Sequence, residues 1–455
     1  MTAFEINQYC AEADFNRITG IFNKAQHSSN VSPNLSNRGI SDFTLDFQRM
    51  NFTYARTHDW ALWNTGQRII DTHFIFPLMH LDPADPRNYY FDATDEILKI
   101  TQDAGSRIFY RLGTSIEHSG LRPDQKHFNS LPPEDYEKYA EVLAGIIRHY
   151  TQGWANGFHY DIKYWEIWNE AENNPTCWRG PYEEFIKFFV IVLKRLKAEF
   201  PELKIGGPAA AYFHEERIRN ILKACKAADI SPDFISWHSY QQNPQELIAA
   251  PEKMKKIIHE EGFDCETAVT EWHYLVSWDG LQSNMSVESR KYAIEGPTGL
   301  CGIDSAVYNL AVLCGWQETD LDLACYYGAS PRGDWGFLDQ YGGYNKNFHS
   351  MCMFGKLLGC FENRIAVKRL DADTYLQGGV SPDGRKGMLL VADYRSKKTY
   401  LELKISGMEN ARIKAEYLDQ SHDLFLCDAT YENGILRLPK KTAGSGAFLV
   451  YFERD

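Results

Sequence analysis

Residues 50 to 350 repeat one pattern, in which a short run rich in β-branched and aromatic residues precedes a longer amphipathic stretch. The clearest short runs cover residues 52–59, 106–115, 162–169, 203–210, 233–240, 266–274 and 322–329, with a weaker one at 88–95. Such alternation is typical of βα units around a parallel sheet. Eight units of this kind close into a (β/α)8 barrel, and we predict that architecture here.

The longer stretches have the residue spacing of amphipathic helices. Within residues 132–150, large apolar or aromatic side chains recur at steps of three and four: Tyr136, Tyr139, Leu143, Ile146 and Tyr150. Within residues 181–200, one face is formed by Phe185, Phe189, Val192 and Leu196. This period places an apolar stripe against the sheet. We therefore predict a helix over each stretch.

The sequence changes character after about residue 360. Apolar and charged residues alternate in LELKIS (401–406), and turn signals at 381–384, 406–410 and 432–434 separate short runs. Alternation broken by tight turns is typical of antiparallel sheets. We predict a barrel domain over residues 46–360 and a β-sandwich over residues 361–455. Residues 1–45 either add a strand to the sandwich or cap the barrel.

Net charge and the lack of long apolar segments exclude two classes of partner. The 455 residues carry 48 Lys and Arg against 61 Asp and Glu, a formal net charge of −13. An acidic surface repels nucleic-acid phosphates and anionic lipids. No apolar run reaches the roughly 20 residues of a membrane helix. We expect neither nucleic acid nor membrane as a partner, and a homo-oligomer stays open.

The ten cysteines are scattered without a CxxC pair, and several lie in apolar stretches, such as Cys314 and Cys325. This pattern favours reduced, buried thiols. Because acidic residues stand near the N-terminus where a signal peptide is basic, we predict a cytoplasmic location. The sequence has no HExxH zinc motif, P-loop, dinucleotide-binding glycine pattern or GxSxG turn. We therefore expect no metal and no organic cofactor.

Four of the predicted strands end in side chains that can do chemistry. In chain order they are Arg56 with His58, Asn169 with Glu170, His238 with Tyr240, and Glu271 with His273. The active site of a (β/α)8 barrel lies at the C-terminal ends of its strands, so these residues should meet at one opening. Residues two apart on a strand share a face. By the same rule Glu166 belongs in the barrel interior, and we expect it to be structural and paired with a basic residue.

Two carboxyl groups at the mouth of one cavity are what glycosidic cleavage requires. One acts as general acid on the leaving oxygen, and the other attacks the anomeric carbon or activates water. Glu170 and Glu271 fit these roles because each follows an apolar or aromatic strand. The alternatives are structural: a strand-end Glu is often a solvated loop residue, and a His there can satisfy a core hydrogen bond. Trp272, Tyr327 and Trp335 suit a core and a sugar-stacking surface equally well.

The motifs around these residues resemble glycoside hydrolase family 39, which includes β-xylosidases and α-L-iduronidases and belongs to the clan of (β/α)8 retaining glycosidases. The resemblance is carried by YARTHD (54–59), KYWEIWNE (163–170), KIGGPA (204–209), DFISWHSY (233–240) and AVTEWHY (268–274). It covers roughly residues 50 to 450. In one departure, Ala171 stands where the family usually has a proline after the acid/base Glu.

The resemblance implies a retaining, exo-acting hydrolase with Glu170 as acid/base and Glu271 as nucleophile. A retaining mechanism requires these carboxyl groups to lie about 5–5.5 Å apart. The resemblance also implies sugar contacts from Asn169 and His58, with His238 and Tyr240 beside the nucleophile. The full set of candidate substrate-binding residues is Arg56, His58, Asn169, His238, Tyr240, Trp272, Tyr327 and Trp335.

The resemblance implies that the substrate is a carbohydrate or glycoside, and it makes a β-xyloside-like pentoside our first choice. An α-L-arabinoside, β-glucoside, β-galactoside or uronide stays open. A uronide would need a cation near the sugar carboxylate, for which Arg332 is the candidate. A non-catalytic sugar-binding protein on the same scaffold is the remaining alternative, and the presence of both carboxyl groups argues against it.

Overall fold

The computed structural model describes residues 9–31, 33, 43–58, 69–116, 130–281, 286–329, 335–339 and 342–454. The helices are α1 (Thr44–Met50), α2 (Thr72–Ile75), α3 (Asp92–Asp103), α4 (Tyr136–Gln152), α5 (Tyr182–Glu199), α6 (Glu215–Ala227), α7 (Pro244–Glu260), α8 (Val287–Glu295), α9 (Ile303–Trp316) and α10 (Lys346–Cys360). The strands are β1 (Ala11–Ile21), β2 (Ser28–Asn30), β3 (Tyr54–Arg56), β4 (Arg107–Leu112), β5 (Tyr164–Ile167), β6 (Lys204–Ala210), β7 (Phe234–Gln241), β8 (Glu266–Tyr274), β9 (Leu323–Tyr326), β10 (Asn363–Arg369), β11 (Thr374–Val380), β12 (Lys386–Ser396), β13 (Tyr400–Ser406), β14 (Arg412–Leu418), β15 (Asp423–Leu426), β16 (Thr430–Glu432), β17 (Ile435–Pro439) and β18 (Gly444–Glu453).

Strands β2 to β9 form a closed parallel barrel in chain order, and β2 pairs with β9 to complete it. The predicted (β/α)8 barrel is therefore confirmed. The predicted apolar helix faces are confirmed as well. On α4, Tyr139, Leu143 and Ile146 are buried, and on α5 the side chains of Phe185 and Phe189 are completely buried. These stripes face the sheet because a 3.6-residue period keeps them on one side of each helix.

The barrel strands differ from the predicted set at the start of the chain. The first strand is Ser28–Asn30, so the barrel begins well before residue 46, and the predicted first strand at 52–59 is the second. The predicted strand at 88–95 is wrong, because a short 3-10 helix and the start of α3 occupy that range. Tyr89 and Phe91, which suggested a strand, are buried and stack on each other at 5.3 Å. Acidic residues in the first turn of α3 favour the helix.

The lower part of the barrel interior is filled by side chains. The residues in this layer are Tyr54, Phe109, Tyr164, Phe234, Ala268, Leu323 and Cys325. Two residues further along their strands come Arg56 and Glu166, which share the inward face with Tyr54 and Tyr164 because side chains alternate. With the interior filled below them, a cavity can open only at the C-terminal ends of the strands.

The second sheet contains ten strands in the order β15-β14-β18-β12-β11-β10-β1-β13-β17-β16. It is mostly antiparallel, although β1 runs parallel to β13. Side chains from both halves of this sheet share one apolar core, for example Phe15 and Leu403 with Leu389 and Phe448. The predicted sandwich on a barrel is confirmed, and the N-terminal segment contributes β1 to it. Arg395 joins the two parts, since its Nε donates to Asp304 Oδ2 on α9 at 2.6 Å.

The cysteines and helices agree with the sequence analysis where the structure describes them. None of the ten cysteines forms a disulfide, and six of them are buried. No helix within the described part of the chain is long and apolar enough to cross a membrane.

Candidate active site

A cavity of about 340 Å³ opens at the C-terminal ends of the barrel strands. Its lining, within the described residues, consists of His58, Ile116, Asn169, Glu170, Asn173, Ala211, Tyr212, Tyr240, Glu271, Trp278, Tyr327 and Trp335. The structure thus brings both candidate carboxyl groups, Glu170 and Glu271, to one opening. Five of the eight candidate substrate-binding residues lie in this lining, whereas Arg56, His238 and Trp272 do not.

Arg56 lies beneath the cavity and connects four side chains. Its Nε donates to Glu166 Oε2 at 2.6 Å, and its Nη1 donates to Glu271 Oε1 at 2.9 Å. The guanidinium also donates to Asn30 Oδ1 at 2.8 Å and to Asn169 Oδ1 at 2.9 Å. Because its side chain is completely buried, Arg56 does not line the cavity as predicted but holds the groups that do. The expected pairing of Glu166 with a basic residue is confirmed.

Glu271, on β8, accepts contacts at both carboxylate oxygens. Arg56 Nη1 and His58 Nε2 lie 2.9 Å and 3.3 Å from Oε1, and the Tyr240 hydroxyl donates to Oε2 at 2.5 Å. Burial raises the pKa of the Glu271 carboxyl, while the nearby charge of Arg56 and the Tyr240 hydrogen bond lower it. These contacts fix the orientation of the carboxylate and oppose the effect of burial on its charge. A carboxylate nucleophile must be both ionised and correctly oriented.

Glu170 follows β5 in a turn where its φ is +45° and its N–H donates to Ala209 O at 2.9 Å. Its Oε1 lies 2.7 Å from His238 Nδ1, and its Oε2 accepts a hydrogen bond from Asn173 Nδ2 at 2.8 Å. The side chain is 16% exposed, against 4% for Glu271. A carboxyl group open to the cavity can pass a proton to a leaving group and take one from water.

His238 lies under the two carboxyl groups. Its Nδ1 is 2.7 Å from Glu170 Oε1 and 3.5 Å from Glu271 Oε2. Burial lowers the pKa of His238 to about 4, so the ring is neutral near neutral pH. A proton on Nδ1 can then face both carboxylates. The ring is completely buried, and its place is therefore behind the carboxyl groups rather than at the sugar.

The two carboxyl groups are close enough for direct attack on a bound sugar. One oxygen of Glu170 and one of Glu271 lie within 4.8 Å of each other. Retaining glycosidases place their carboxyl groups about 5–5.5 Å apart, whereas inverting enzymes need about 6.5–9.5 Å to fit a water. With His238 these groups also offer atoms that could hold a metal ion, but Arg56 contacts Glu271 at 2.9 Å and already supplies a positive charge there.

Asn169 lines the cavity beside Glu170. Its Oδ1 accepts from Arg56 Nη2 at 2.9 Å, and its Nδ2 donates to Ser115 O at 3.0 Å. These two hydrogen bonds fix the amide plane and leave a second N–H of Nδ2 for a sugar hydroxyl. The uronide candidate Arg332 lies outside the described residues.

Four aromatic side chains form an aromatic wall on one side of the cavity: Tyr240, Trp278, Tyr327 and Trp335. Ring centroids lie 5.2 Å apart for Tyr240 and Trp278, and 5.6 Å apart for Tyr327 and Trp335. Burial and the charge of Glu271 raise the pKa of Tyr240 well above its usual value, so its hydroxyl stays a donor. The wall offers apolar faces for sugar or aglycone rings.

Trp272 is not part of this wall. Its ring is buried, and it packs against Trp316 at 5.0 Å and Tyr326 at 5.3 Å. Because successive side chains on a strand point to opposite faces, the neighbour of inward-facing Glu271 must point away from the cavity. His273 faces inwards but is buried, and its Nε2 lies 2.6 Å from Tyr326 OH.

Five lining residues are not among those predicted from the sequence. They are Ile116, Asn173, Ala211, Tyr212 and Trp278. All lie after the strand ends, in segments that the alternation of β runs and helices does not fix. The only feature they share in the sequence is their position in the βα loops, which surround the active site of such a barrel.

Comparison with known proteins decides the family. A family model described as "Glycosyl hydrolases family 39" matches residues 22–264. The chain belongs to glycoside hydrolase family 39. It is therefore a glycoside hydrolase, and its substrate is a carbohydrate. The matched range includes Glu170 and His238 but ends seven residues before Glu271.

Two β-xylosidases are similar in sequence. The one from Caldicellulosiruptor saccharolyticus is 22% identical over 361 residues, covering 73% of this chain and 70% of the relative. The one from Geobacillus stearothermophilus is 29% identical over 200 residues, covering 42% and 37%. The resemblance to family 39 seen in the sequence motifs is thus confirmed.

Solved structures share the fold over almost the whole chain. A glucosidase from Croceicoccus marinus superposes with a TM-score of 0.77 at 20% identity, covering 98% of this chain and 99% of the other. A family 39 β-xylosidase from Caulobacter crescentus has a TM-score of 0.67 at 12% identity, with the same coverage. Both support the barrel with an attached β-sandwich.

Proposed function

We propose that this family 39 enzyme is a retaining, exo-acting glycosidase that removes a terminal β-xyloside-like pentose by double displacement. Glu271 is the nucleophile and Glu170 the acid/base in this proposal. One observation carries it: carboxylate oxygens of these two residues lie within 4.8 Å in one cavity. Their surroundings also differ, because Glu271 contacts the Arg56 guanidinium at 2.9 Å, whereas Glu170 contacts Asn173 and is more exposed. Different surroundings are what separate the two roles.

In the first step, a Glu271 oxygen attacks the anomeric carbon while Glu170 gives its proton to the leaving oxygen. The bond between the anomeric carbon and that oxygen breaks, and a glycosyl ester of Glu271 forms. Glu271 loses its charge when the ester forms. Arg56 keeps its contact with Glu166, whose Oε2 lies 2.6 Å from the Arg56 Nε. The buried cation is therefore never left without a partner.

In the second step, Glu170 is ionised and takes a proton from a water molecule, which attacks the anomeric carbon on the face that the aglycone left. The ester bond breaks, and Glu271 returns to its charged state beside Arg56 and Tyr240. Two displacements restore the original anomeric configuration. His238 is neutral, and its Nδ1 lies near both carboxylates. It can therefore hydrogen-bond to whichever of them is charged in a given step.

A pentoside is the favoured substrate because two β-xylosidases are similar to this chain over 361 and 200 residues. α-L-arabinosides, β-glucosides, β-galactosides and uronides are the alternatives that a substrate panel distinguishes. A sugar-binding role without catalysis is the outcome indicated if the protein binds sugars but cleaves none of them.

The test is a panel of aryl glycosides covering these sugars, assayed with the wild type, Glu271→Gln and Glu170→Gln. We expect cleavage of the β-xyloside, with loss of activity in Glu271→Gln for every leaving group. Glu170→Gln should lower kcat/KM most for poor leaving groups, since activated ones need little proton donation. Proton NMR of the first product should show the β-anomer.

Glu172→Gln is the matched control. Its carboxyl group lies two residues beyond Glu170 and accepts the Ala211 N–H at 3.3 Å without lining the cavity. We expect it to keep the leaving-group dependence of the wild type. An α-anomer as first product, or full activity in Glu271→Gln, would contradict the proposal.

We also propose that the enzyme works in the cytoplasm on small glycosides. The absence of disulfides among the ten cysteines, six of which are buried, supports a reducing compartment. Fractionation of the native cells followed by immunodetection tests this location. Self-association stays a prediction, which light scattering of the purified chain tests.

A further inference from the structure

The turn after β5 fixes the position of Asn173. Its backbone N–H donates to Glu170 O at 2.9 Å, and its carbonyl accepts the Cys177 N–H at 2.7 Å. Its side chain folds back over the same turn, where Nδ2 donates to Glu170 Oε2 at 2.8 Å. The backbone is thus held on both sides, and the amide reaches the carboxyl group three residues earlier.

The two oxygens of Glu170 have different surroundings. Oε1 lies 2.7 Å from the completely buried His238 ring, on the side of Glu271. Oε2 lies beside Asn173, an exposed residue of the cavity lining. The oxygen that exchanges a proton with the leaving group must face the open part of the cavity. That oxygen is Oε2.

We propose that Asn173 is a positioning residue for the acid/base step, a role that rests on the proposed function of Glu170. Its Nδ2 orients Oε2 toward the leaving group and stabilises the charged carboxylate. A donor that bonds the charged form favours that form. Asn173 therefore lets Glu170 release its proton in the first step and stay ionised in the second.

A purely structural role is already filled by the next residue. Asn174 Nδ2 donates to Gly180 O at 3.1 Å and so ties the same turn to the start of α5. Among the hydrogen bonds of the described residues, none joins Asn174 to the carboxyl group of Glu170. Asn174→Ala is therefore the matched control, because it removes an equivalent amide from the same loop.

The experiment measures kcat/KM against pH on an aryl β-xyloside with a poor leaving group. The basic limb reports the pKa of the acid in the free enzyme. Loss of the donor in Asn173→Ala should move this limb upward by about one pH unit. Asn173→Asp keeps the size of the side chain but adds a like charge, so its limb should move further. Asn174→Ala should leave the limb in place.

The proposal is overturned if both Asn173 variants keep the basic limb of the wild type, whether or not their rates fall. A shift in Asn174→Ala of equal size would also overturn it, because loop distortion would then be the cause. Failure of the proposed function looks different. If Glu170→Gln retains the basic limb, then Glu170 is not the acid, whatever the Asn173 variants do.

Discussion

Replacement of Arg56 by methionine tests how the active site keeps its nucleophile charged. Arg56 is completely buried and donates to Glu166 at 2.6 Å and to Glu271 at 2.9 Å. Methionine fills most of the same space but has no charge. Two buried carboxylates then share a site without a cation, and both stability and activity should fall.

The structure sets the size of each effect. Removal of one partner from a buried ion pair destabilises a protein by about 3–5 kcal/mol. Loss of an opposite charge this close should raise the pKa of Glu271 by about 1–3 units. Since one pKa unit corresponds to about 1.4 kcal/mol, these two figures are consistent. The sign is upward, because the charged form of Glu271 loses its stabilising partner.

The assays are denaturant unfolding and kcat/KM against pH on an aryl β-xyloside. The acidic limb, which reports ionisation of the nucleophile, should move to higher pH in Arg56→Met. Glu166→Gln is the control, because it removes a negative charge and leaves Arg56 with Glu271, so its acidic limb should not rise. The double variant should be more stable than the sum of the single effects predicts. An unmoved acidic limb, or a stability loss under about 1 kcal/mol as for a surface pair, would refute the reasoning.

Two further predictions follow from the same site and core. Tyr240→Phe keeps the ring but removes the donor to Glu271 Oε2, so kcat/KM on aryl β-xylosides should fall roughly tenfold to a hundredfold, the effect of one hydrogen bond to a charged group; an unchanged kcat/KM would contradict this role. Burial lowers the pKa of His27, His238 and His273 from 6.5 to about 4, so the unfolded chain binds protons over this range before the native state does. Stability should therefore fall as pH drops from 6.5 toward 4, by up to about 1.4 kcal/mol per pH unit for each ring. Urea unfolding over a pH series measures this slope, which His27→Gln should reduce by about one proton; an equal slope in that variant would contradict the assignment.

The sequence could predict the elements whose residues repeat with a clear period. Helix α4 and strand β13 are examples, because apolar residues recur at steps of three and four on α4 and at every second residue on β13, where Leu401, Leu403 and Ile405 are buried. The first barrel strand, Ser28–Asn30, has no such signal, since three polar residues resemble a loop. It is a strand because the barrel supplies its partners: it pairs with β3 on one side and with β9 on the other.

The residues of the candidate active site also differ in how far the sequence predicts their positions. The meeting of Glu170 and Glu271 at one opening was predictable because a barrel brings its strand ends together. The position of Trp272 outside the cavity follows from strand alternation, which contradicts its inclusion in the sugar site. The burial of Arg56 and the contact of Asn173 depend on layer depth and on the path of one turn. Neither property is encoded in a short motif.

Covalent trapping tests most directly whether Glu271 is the nucleophile. A 2-deoxy-2-fluoro-β-xyloside with a good leaving group should form the glycosyl ester quickly and release it slowly, because the fluorine destabilises the oxocarbenium-like transition states. Peptide mapping by mass spectrometry then locates the attached sugar. We expect one fluoroxylosyl group on Glu271 of the wild type and none on the Glu271→Gln variant. A label on any other residue, or rapid turnover of the corresponding β-xyloside with no covalent intermediate, would contradict this expectation.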